Sequence, residues 1–179
     1  MYKSVAPCIF FYSTQSCIIK KLDRDIFATL LYFCTVSNPE SLLWRKFKLA
    51  LSKDKFFLTR IETLTVSGVP DVFGIHNNIS FWLELKSNRV NYPTLNKFQI
   101  SWINKAVKHG GKIFILHEAQ KHRLLKIYKI NSFFTDPRTI SPVFTCKKPV
   151  TWPLFVDRFK LLLLTWLKKL NRWPLTVDH

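Results

Sequence analysis

The stretch from Phe56 to Ser87 alternates between apolar and polar residues in the way that β-strands do. Two turn signals divide it, a stretch with glycine and proline at 67–70 and the polar run His76-Asn77-Asn78. We therefore expect three consecutive strands, joined as antiparallel neighbours, at Phe56 to Val66, Val72 to Ile75 and Ser80 to Ser87.

Two acidic residues and a lysine occupy this meander at positions that can bring them together. Asp71 follows the first turn, and Glu84 lies across the hairpin on the third strand. Side chains two apart share a strand face, so Lys86 points the same way as Glu84. Two converging carboxylates repel each other unless they hold a proton or a cation, and their oxygens favour Mg²⁺ or Mn²⁺. The set predicts a phosphodiester hydrolysis site, in which a cation and the lysine act on a water and a phosphate.

The composition of the third strand weighs against a purely structural interpretation of these charges. A Glu-x-Lys pair on a strand is more often a solvated ion pair, worth under about 1 kcal/mol. Here the strand is crowded with large apolar side chains, which predicts a central, buried position. Charges are costly there unless they are paired, metal-bound or functional. The apolar residues are Ile79, Phe81, Trp82, Leu83 and Leu85.

Four short motifs resemble those of the PD-(D/E)xK nuclease superfamily in their order and spacing. They are Gly68-Val69-Pro70-Asp71, Phe81-Trp82-Leu83-Glu84-Leu85-Lys86, Gln99-Ile100-Ser101-Trp102 and Gly110-Gly111. Within the superfamily, the chain is most similar to small virus-type replication and repair nucleases (VRR-NUC) and Holliday junction resolvase-like proteins. The resemblance implies an α/β fold with a restriction-endonuclease-like core, in which a helix, a three-strand meander, a helix and a strand build a mixed sheet.

The resemblance also implies what individual residues do. Asp71 and Glu84 would bind Mg²⁺, with Mn²⁺ as a substitute, together with the backbone carbonyl of Leu85. Lys86 would position the attacking water and stabilise the pentavalent phosphate. In similar nucleases a glutamine at the position of Gln99 lies beside the catalytic lysine and orients water or phosphate.

Gln99 and Glu40 each have a structural explanation as well. Gln99 lies on the inward face of a predicted helix, where an unpaired amide is costly, and it could simply cap a strand end. Glu40 follows the helix-start signal Ser37-Asn38-Pro39 and suits the positive end of that helix. The family often places a glutamate near the metal on its first helix, and Glu40 matches that position.

Downstream of the meander the pattern predicts alternating helix and strand. A helix is expected from Thr94 to Lys108, ended by glycine in a left-handed conformation at 110–111. Strand, helix, strand implies a right-handed parallel crossover. The further expected elements are a buried strand at 112–116, a lysine-bearing edge strand at Leu124 to Ile130, a short strand at Val143 to Cys146 and an amphipathic helix from Pro153.

The length of 179 residues suits one domain with extensions. Residues 38–130 are the expected nuclease core. Residues 1–37 are an N-terminal extension of uncertain order, and 131–179 combine a proline-containing loop with the amphipathic helix. That helix has an apolar stripe and a basic side, which suits packing on the core, dimerisation or membrane binding.

The charge balance predicts a polyanionic partner. Lys and Arg number 28 against 11 Asp and Glu, which gives a net charge of +17. Together with the site, this indicates DNA, although an anionic membrane surface is the rival on composition alone. The candidate backbone contacts are Arg60, which could instead pair with Glu62, and Arg89, Asn91 and Lys97.

Cysteine spacing and hydropathy bear on location. The four cysteines lie far apart without a CxxC pair, which favours reduced thiols. No apolar run reaches the ~18 residues that span a bilayer. We therefore expect a soluble intracellular protein, in the cytoplasm of a bacterium or a phage-infected host, which binds no membrane; a homodimer remains open.

The sequence as a whole predicts a Mg²⁺-dependent DNA endonuclease of phage-type replication, recombination or repair, structure-selective in the manner of a resolvase. Three alternatives stay open. The same core could serve a free-standing homing endonuclease, a non-catalytic DNA-binding module could keep the fold, and the C-terminal helix could make a membrane-surface protein.

Overall fold

The computed structural model describes residues 38–62 and 66–170, with side chains as far as Trp166 in the last helix. The N-terminal extension expected at 1–37 lies outside the described residues. Within them, the order is helix, three strands, helix, three strands, helix. The elements are α1 (Pro39–Leu51), β1 (Phe57–Arg60), β2 (Val72–His76), β3 (Ile79–Asn88), α2 (Lys97–Lys108), β4 (Ile113–Ala119), β5 (Leu124–Ile130), β6 (Phe144–Lys147) and α3 (Trp152–Leu170).

The six strands lie side by side in the order of the chain, from β1 to β6. Every neighbouring pair is antiparallel except β3 and β4, which run parallel and are connected through α2. Parallel neighbours need such a crossover, whereas a short turn joins antiparallel ones. The mixed sheet and the order of helix, meander, helix and strand confirm the predicted α/β, restriction-endonuclease-like fold class.

The hairpin between β2 and β3 sets the register of the meander. Asn77 and Asn78 have φ of 48° and 61°, the left-handed conformation that a tight two-residue hairpin turn requires. The strands consequently pair from His76 with Ile79 to Val72 with Leu83. This pairing confirms the predicted hairpin and brings the start of β2 beside the middle of β3.

Helices cover both faces of the sheet. α1 and α3 pack on one face, where alternate residues of β2 to β5 form the larger apolar core. α2 packs on the opposite face, over a smaller core that includes Ile103, Ile113, Ile115 and Tyr128. Since side chains alternate along a strand, Leu83 and Leu85 enter the first core while Glu84 and Lys86 point to the other face.

The C-terminal helix packs on the sheet through aromatic rings. Phe159 of α3 is buried, and its ring contacts those of Phe47, Phe56, Phe81 and Phe114 at centroid distances of 5.1 to 6.0 Å. In the described part of the chain, no helix is both long enough and apolar enough to cross a membrane.

Several element boundaries differ from the sequence prediction. β4 runs to Ala119 rather than ending at 116, and the shifts of β1 and α2 have an identifiable cause. β1 ends at Arg60 rather than Val66. The N–H of Ile61 still donates a hydrogen bond to the carbonyl oxygen of Asp71. Beyond it, the residue on the opposite strand is Pro70, which has no N–H to continue the pairing. α2 begins at Lys97 rather than after Thr94. The side chain of Asn96 caps it by accepting hydrogen bonds from the backbone N–H groups of the first turn.

The prediction of an edge strand at Leu124 to Ile130 was wrong. β6 pairs with β5 from Leu124 opposite Lys147 to Ile127 opposite Phe144, so β5 lies inside the sheet. The lysine at 126, expected on an exposed edge, is consequently buried. The covering strand comes from the proline-containing segment, where Phe144–Lys147 falls within one residue of the short strand that the sequence indicated.

Truncation of the aromatic contact tests the packing of α3. Replacing Phe159 by Ala removes a ring shared by four others, so we expect the free energy of unfolding to fall by about 3 to 5 kcal/mol. Leu161 on the same helix is 54% exposed, and Leu161→Ala is the matched control, expected to change stability by about 0.5 kcal/mol or less. Urea denaturation measures both. Equal, small effects would contradict the packing.

Candidate active site

Asp71 is fixed against the middle of β3 by a backbone contact. Its Oδ2 accepts a hydrogen bond of 2.8 Å from the N–H of Leu85. Leu85 stands between Glu84 and Lys86, so the carboxylate of Asp71 lies beside both. The hairpin register produces this contact, because Asp71 directly precedes Val72, whose partner on β3 is Leu83.

Glu84 is the buried centre of the site. Its side chain is 0% exposed, and its Oε1 accepts hydrogen bonds from Gln99 Nε2 and from Lys86 Nζ, the latter at 2.7 Å. Its other oxygen, Oε2, is buried without a hydrogen-bond partner among the described residues. Burial, reinforced by the negative charge of Asp71, raises the pKa of Glu84 to about 7.

Lys86 remains a charged ammonium group although it is largely buried. Burial alone would lower its pKa, but the charge and hydrogen bond of Glu84 outweigh that effect and raise the pKa above the ordinary value. A second carboxylate, that of Glu40, lies 3.8 Å from Lys86 Nζ. Lys86 is therefore a permanent positive charge in the site rather than a proton acceptor at neutral pH.

Gln99 has two structural partners at once. Its Oε1 accepts a hydrogen bond from the backbone N–H of Asn96, which completes the capping box at the start of α2. Its Nε2 donates to Glu84 Oε1. The same side chain therefore fixes the first turn of α2 and orients the buried carboxylate.

Glu40 reaches the site from the first turn of α1. Asn38 caps this helix by accepting a hydrogen bond from the N–H of Glu40, and Pro39 occupies the first position, as the sequence predicted. The structure thus brings together five side chains from α1, α2, β3 and the loop before β2. They are Glu40, Asp71, Glu84, Lys86 and Gln99.

The loop before Asp71 lies directly on the start of α2. Gly68 has φ of 86°, and a Cβ added there would lie 2.4 Å from the carbonyl carbon and oxygen of Phe98. Only glycine permits this approach. The contact therefore holds the loop that carries Asp71 against the helix turn that carries Gln99.

The donor set fits a hard divalent cation. Glu84 Oε2 lacks a partner, and Asp71 adds a second carboxylate close enough to raise the pKa of Glu84. Within residues 38–62 and 66–170, no three His, Cys, Asp or Glu side chains form a metal cluster. A cation held here would take two carboxylates and complete its shell with backbone oxygen and water, as Mg²⁺ does in many sites.

Two of the four candidate DNA contacts lie near these residues. Arg60 on β1 pairs with Val72, next to Asp71, and its Nε lies 4.0 Å from Glu62, so the alternative ion pair is present. Lys97 is the first residue of α2, two before Gln99, and its Nζ lies 5.1 Å from the centre of the Phe98 ring.

The other two candidates lie farther away. Arg89 and Asn91 follow the end of β3 at Asn88, which is four residues, about 13 Å, beyond Glu84. They line a separate cavity together with Lys121 and His122. The structure therefore does not bring Arg89 and Asn91 to the carboxylates.

A polar row that the sequence pattern did not predict lies on the same face as Glu84. Lys86, His117 and Lys126 are direct neighbours across β3, β4 and β5. Lys126 Nζ donates to the backbone and side-chain oxygens of Asn91, both at 2.8 Å, and so fastens the loop after β3. This row was not predicted because β5 was expected to be an edge strand, with Lys126 exposed to solvent.

His117 is a neutral imidazole at physiological pH. Burial first, and then the charge of Lys126, lower its pKa to about 4. Its Nε2 lies 2.9 Å from Asn88 Oδ1, and it is completely buried.

Comparisons with known proteins return distant structural likenesses only. No family model matches the chain, and no curated protein sequence does. Hjc, a Holliday junction resolvase from the archaeal hyperthermophile Archaeoglobus fulgidus, is similar over 64% of this chain and 92% of its own, with 16% identity and a TM-score of 0.42. SSO0001 is similar over 64% of this chain, which spans 63% of that protein, with 18% identity and a TM-score of 0.30. The function is therefore inferred from the residues of the site.

The raised pKa of Glu84 makes the stability of the metal-free protein depend on pH. The folded chain holds this proton up to about pH 7, whereas the unfolded chain releases it near the ordinary value of 4.5. The stabilisation is complete below pH 4.5 and is lost as the pH rises through 7. Across this window we expect the free energy of unfolding to fall by an amount on the order of 3 kcal/mol. Glu84→Gln should not show this fall, because its amide does not titrate.

Urea denaturation in chelator between pH 4 and 8 measures this difference. Glu62→Gln is the matched control, since the side chain of Glu62 is 86% exposed and should leave the pH profile of the wild type unchanged. Parallel profiles for the wild type and Glu84→Gln would show that Glu84 is ionised throughout.

Proposed function

We propose that this protein is a Mg²⁺-dependent endodeoxyribonuclease that hydrolyses phosphodiester bonds, with Mn²⁺ as a substitute. One observation carries the proposal: a fully buried glutamate, Glu84, keeps an unpartnered oxygen beside a second carboxylate, Asp71, and is tied to a lysine. The residues belong to the motifs that resemble those of the PD-(D/E)xK superfamily.

A structural role alone explains this arrangement poorly. A buried polar atom left without a partner costs about 1 to 3 kcal/mol, and more when it is charged. Replacing a buried ion pair by apolar residues is often neutral or stabilising. A costly carboxylate pair in the centre of a sheet is therefore typical of a functional site.

Asp71 and Glu84 would hold the cation, together with the carbonyl of Leu85. When bound, Mg²⁺ would stabilise negative charge on the phosphate and lower the pKa of a water. The cation would also neutralise the repulsion between the two carboxylates and satisfy Glu84 Oε2, which keeps Glu84 ionised at neutral pH.

The remaining side chains would orient the reactants. Lys86, positively charged and 12% exposed, would position the attacking water and stabilise the pentavalent phosphate through its N–H donors. Gln99 would keep Glu84 in place from α2. Glu40, 3.8 Å from Lys86 Nζ, would act as an outer carboxylate that fixes the ammonium group.

The basic surface supports DNA as the substrate. A net charge of +17 favours binding of a polyanion. Arg60 pairs with Val72, the neighbour of Asp71, and Lys97 precedes Gln99 by two residues on α2. Arg89 and Asn91 would contact the backbone farther along β3. If the protein neutralises six to ten phosphates, its affinity for DNA should fall about a thousandfold or more when the salt concentration rises from 50 to 200 mM.

The finer substrate class follows from the motif resemblance. It favours branched or flapped DNA, as in phage-type replication, recombination or repair, over a defined duplex sequence. Symmetric cutting of a junction would require two copies of the site, hence a homodimer.

Loss of Glu84 should abolish cutting. We expect wild type to cut DNA with Mg²⁺ or Mn²⁺ and not with chelator, and Glu84→Ala to lower the rate on the order of a thousandfold. Glu62→Ala is the control, because this exposed carboxylate lies outside the proposed donor set. The assay compares labelled four-way junction, flap, linear duplex and single strand at equal concentrations.

The pattern of products decides between the alternatives. Preference for junction or flap would support the resolvase-like class, whereas cutting only a defined duplex site would indicate a homing endonuclease. Tight binding of every substrate without cutting, unchanged in Glu84→Ala, would show a non-catalytic DNA-binding module.

Cation binding can be tested without catalysis. A ligand that binds only the folded state raises stability, by about 2.7 kcal/mol at a hundred times its Kd. We expect Mg²⁺ to raise the Tm of wild type at pH 8 and to leave the Tm of Glu84→Gln unchanged. An equal rise in both proteins would place the cation elsewhere.

A further inference from the structure

A groove of about 960 Å³ runs along the outer side of α2. Its second wall is the segment 131–135, which follows β5. The groove does not overlap the carboxylate site, but it begins at Lys97, two residues before Gln99 on the same helix turn. Its far end is His109, at the C-terminus of α2.

The second wall of the groove is anchored to the helix. Asn104 of α2 accepts a hydrogen bond of 3.1 Å from the N–H of Phe134 and donates one of 2.6 Å to its carbonyl oxygen. The ring of Phe134 is buried in the smaller core. The preceding side chain, Phe133, is 72% exposed and lines the groove. The exposed ring of Phe133 is thus positioned by an adjacent residue, Phe134, that is hydrogen-bonded and buried.

The groove is basic without any acidic residue among those that line it. Lys97, Lys105 and Lys108 contribute ammonium groups, and none of them forms an ion pair with a carboxylate in the part of the chain that the structure describes. Between the lysines the helix presents the polar side chains of Ser101 and Asn104 and the apolar side chains of Ile100 and Val107, which offer further surface to a base. This combination of unpaired cations with an exposed ring complements a chain of phosphates that carries flat bases.

The dimensions suit a short segment of one strand. From Lys97 to Lys108 the helix rises about 16 Å. At about 3.4 Å per nucleotide, this accommodates about five stacked nucleotides. In a duplex the bases are already stacked on each other, so only an unpaired strand can offer a base to Phe133.

We propose that this groove binds the single-stranded arm of the DNA substrate, with a base stacked on Phe133 and phosphates on Lys97, Lys105 and Lys108. The inference rests on the proposed function, and it specifies the substrate: DNA in which an unpaired strand adjoins the bond that is cut. The Lys97 end of the groove is the end nearer to Gln99 along α2, so a bound strand would reach the carboxylate site around the N-terminus of this helix.

A second copy of the chain fits this groove less well. A two-fold symmetric contact would place the same patch on both sides of the interface. Three lysines of one copy would then face those of the other, and like charges across an interface oppose association.

The test is binding of a fluorescent oligothymidylate of about fifteen nucleotides to the full chain in chelator, by anisotropy, against a blunt duplex of equal length. We expect Phe133→Ala to weaken single-strand binding about ten- to a hundredfold and to leave duplex binding unchanged. Phe133→Trp should retain the affinity and Phe133→Leu should lose it, which separates stacking from apolar area. Because Phe133 is exposed, these variants should keep the Tm of wild type.

The lysines are tested by charge reversal. Lys105→Glu combined with Lys108→Glu should weaken single-strand binding at least tenfold more than Lys53→Glu, an exposed lysine outside the groove. Single-strand affinity that is unchanged in Phe133→Ala and in the double variant would overturn the proposal. So would sedimentation showing that Phe133→Ala converts a dimer to a monomer, since the occupant would then be a second copy.

Binding in chelator separates this inference from hydrolysis. A wild type that binds single strands through Phe133 but never cuts DNA would refute the nuclease and leave the groove assigned. A wild type that cuts duplex with Mg²⁺ but does not bind single strands would refute the groove and leave the nuclease standing.

Discussion

The burial of one carboxylate, Glu84, is the constraint on which the site depends. The middle of β3 is covered on both faces, so the charge of Glu84 cannot be stabilised by water and must be stabilised by neighbours. Lys86 on the same strand and Gln99 on α2 satisfy one oxygen, while Asp71 adds a repelling charge. Lys86 supplies one positive charge against the carboxylates of Asp71 and Glu84, and Glu84 Oε2 has no partner among the described residues. A divalent cation would supply both the missing charge and the missing partner.

The positions of the site residues are fixed by contacts that also stabilise the fold. Gln99 caps α2 and holds Glu84, and Gly68 lets the loop of Asp71 touch the same helix turn. Under the sheet, Phe159 of α3 locks rings from α1, β3 and β4 into one core. Because the helix start, the loop and the strand share these contacts, a shift of α2 moves the carboxylate and the proposed single-strand groove with it.

Local sequence patterns were sufficient to predict the three-strand meander and the proximity of its charged residues. Alternation and the Asn77-Asn78 turn determine which residues pair, so Asp71 and Glu84 were predicted together correctly. The errors arose where distant segments decide. β5 resembles an edge strand until Phe144–Lys147, fourteen residues after it, pairs with it and buries Lys126. The cap of α2 moved from Thr94 to Asn96 because backbone geometry, not composition, selects the residue.

The sequence by itself determined the α/β class, the hairpin, the basic charge and the chemical identity of the candidate site residues, since these depend on neighbours a few positions away. Only the tertiary structure decided that Glu84 is fully buried with a pKa near 7 and an unpartnered oxygen, because desolvation depends on everything packed around a group. It likewise decided that Asn104 anchors Phe134 and leaves Phe133 exposed beside the lysines, a juxtaposition of residues about thirty positions apart. Periodicity describes which side of an element a residue occupies, and the packing of elements determines what that side meets.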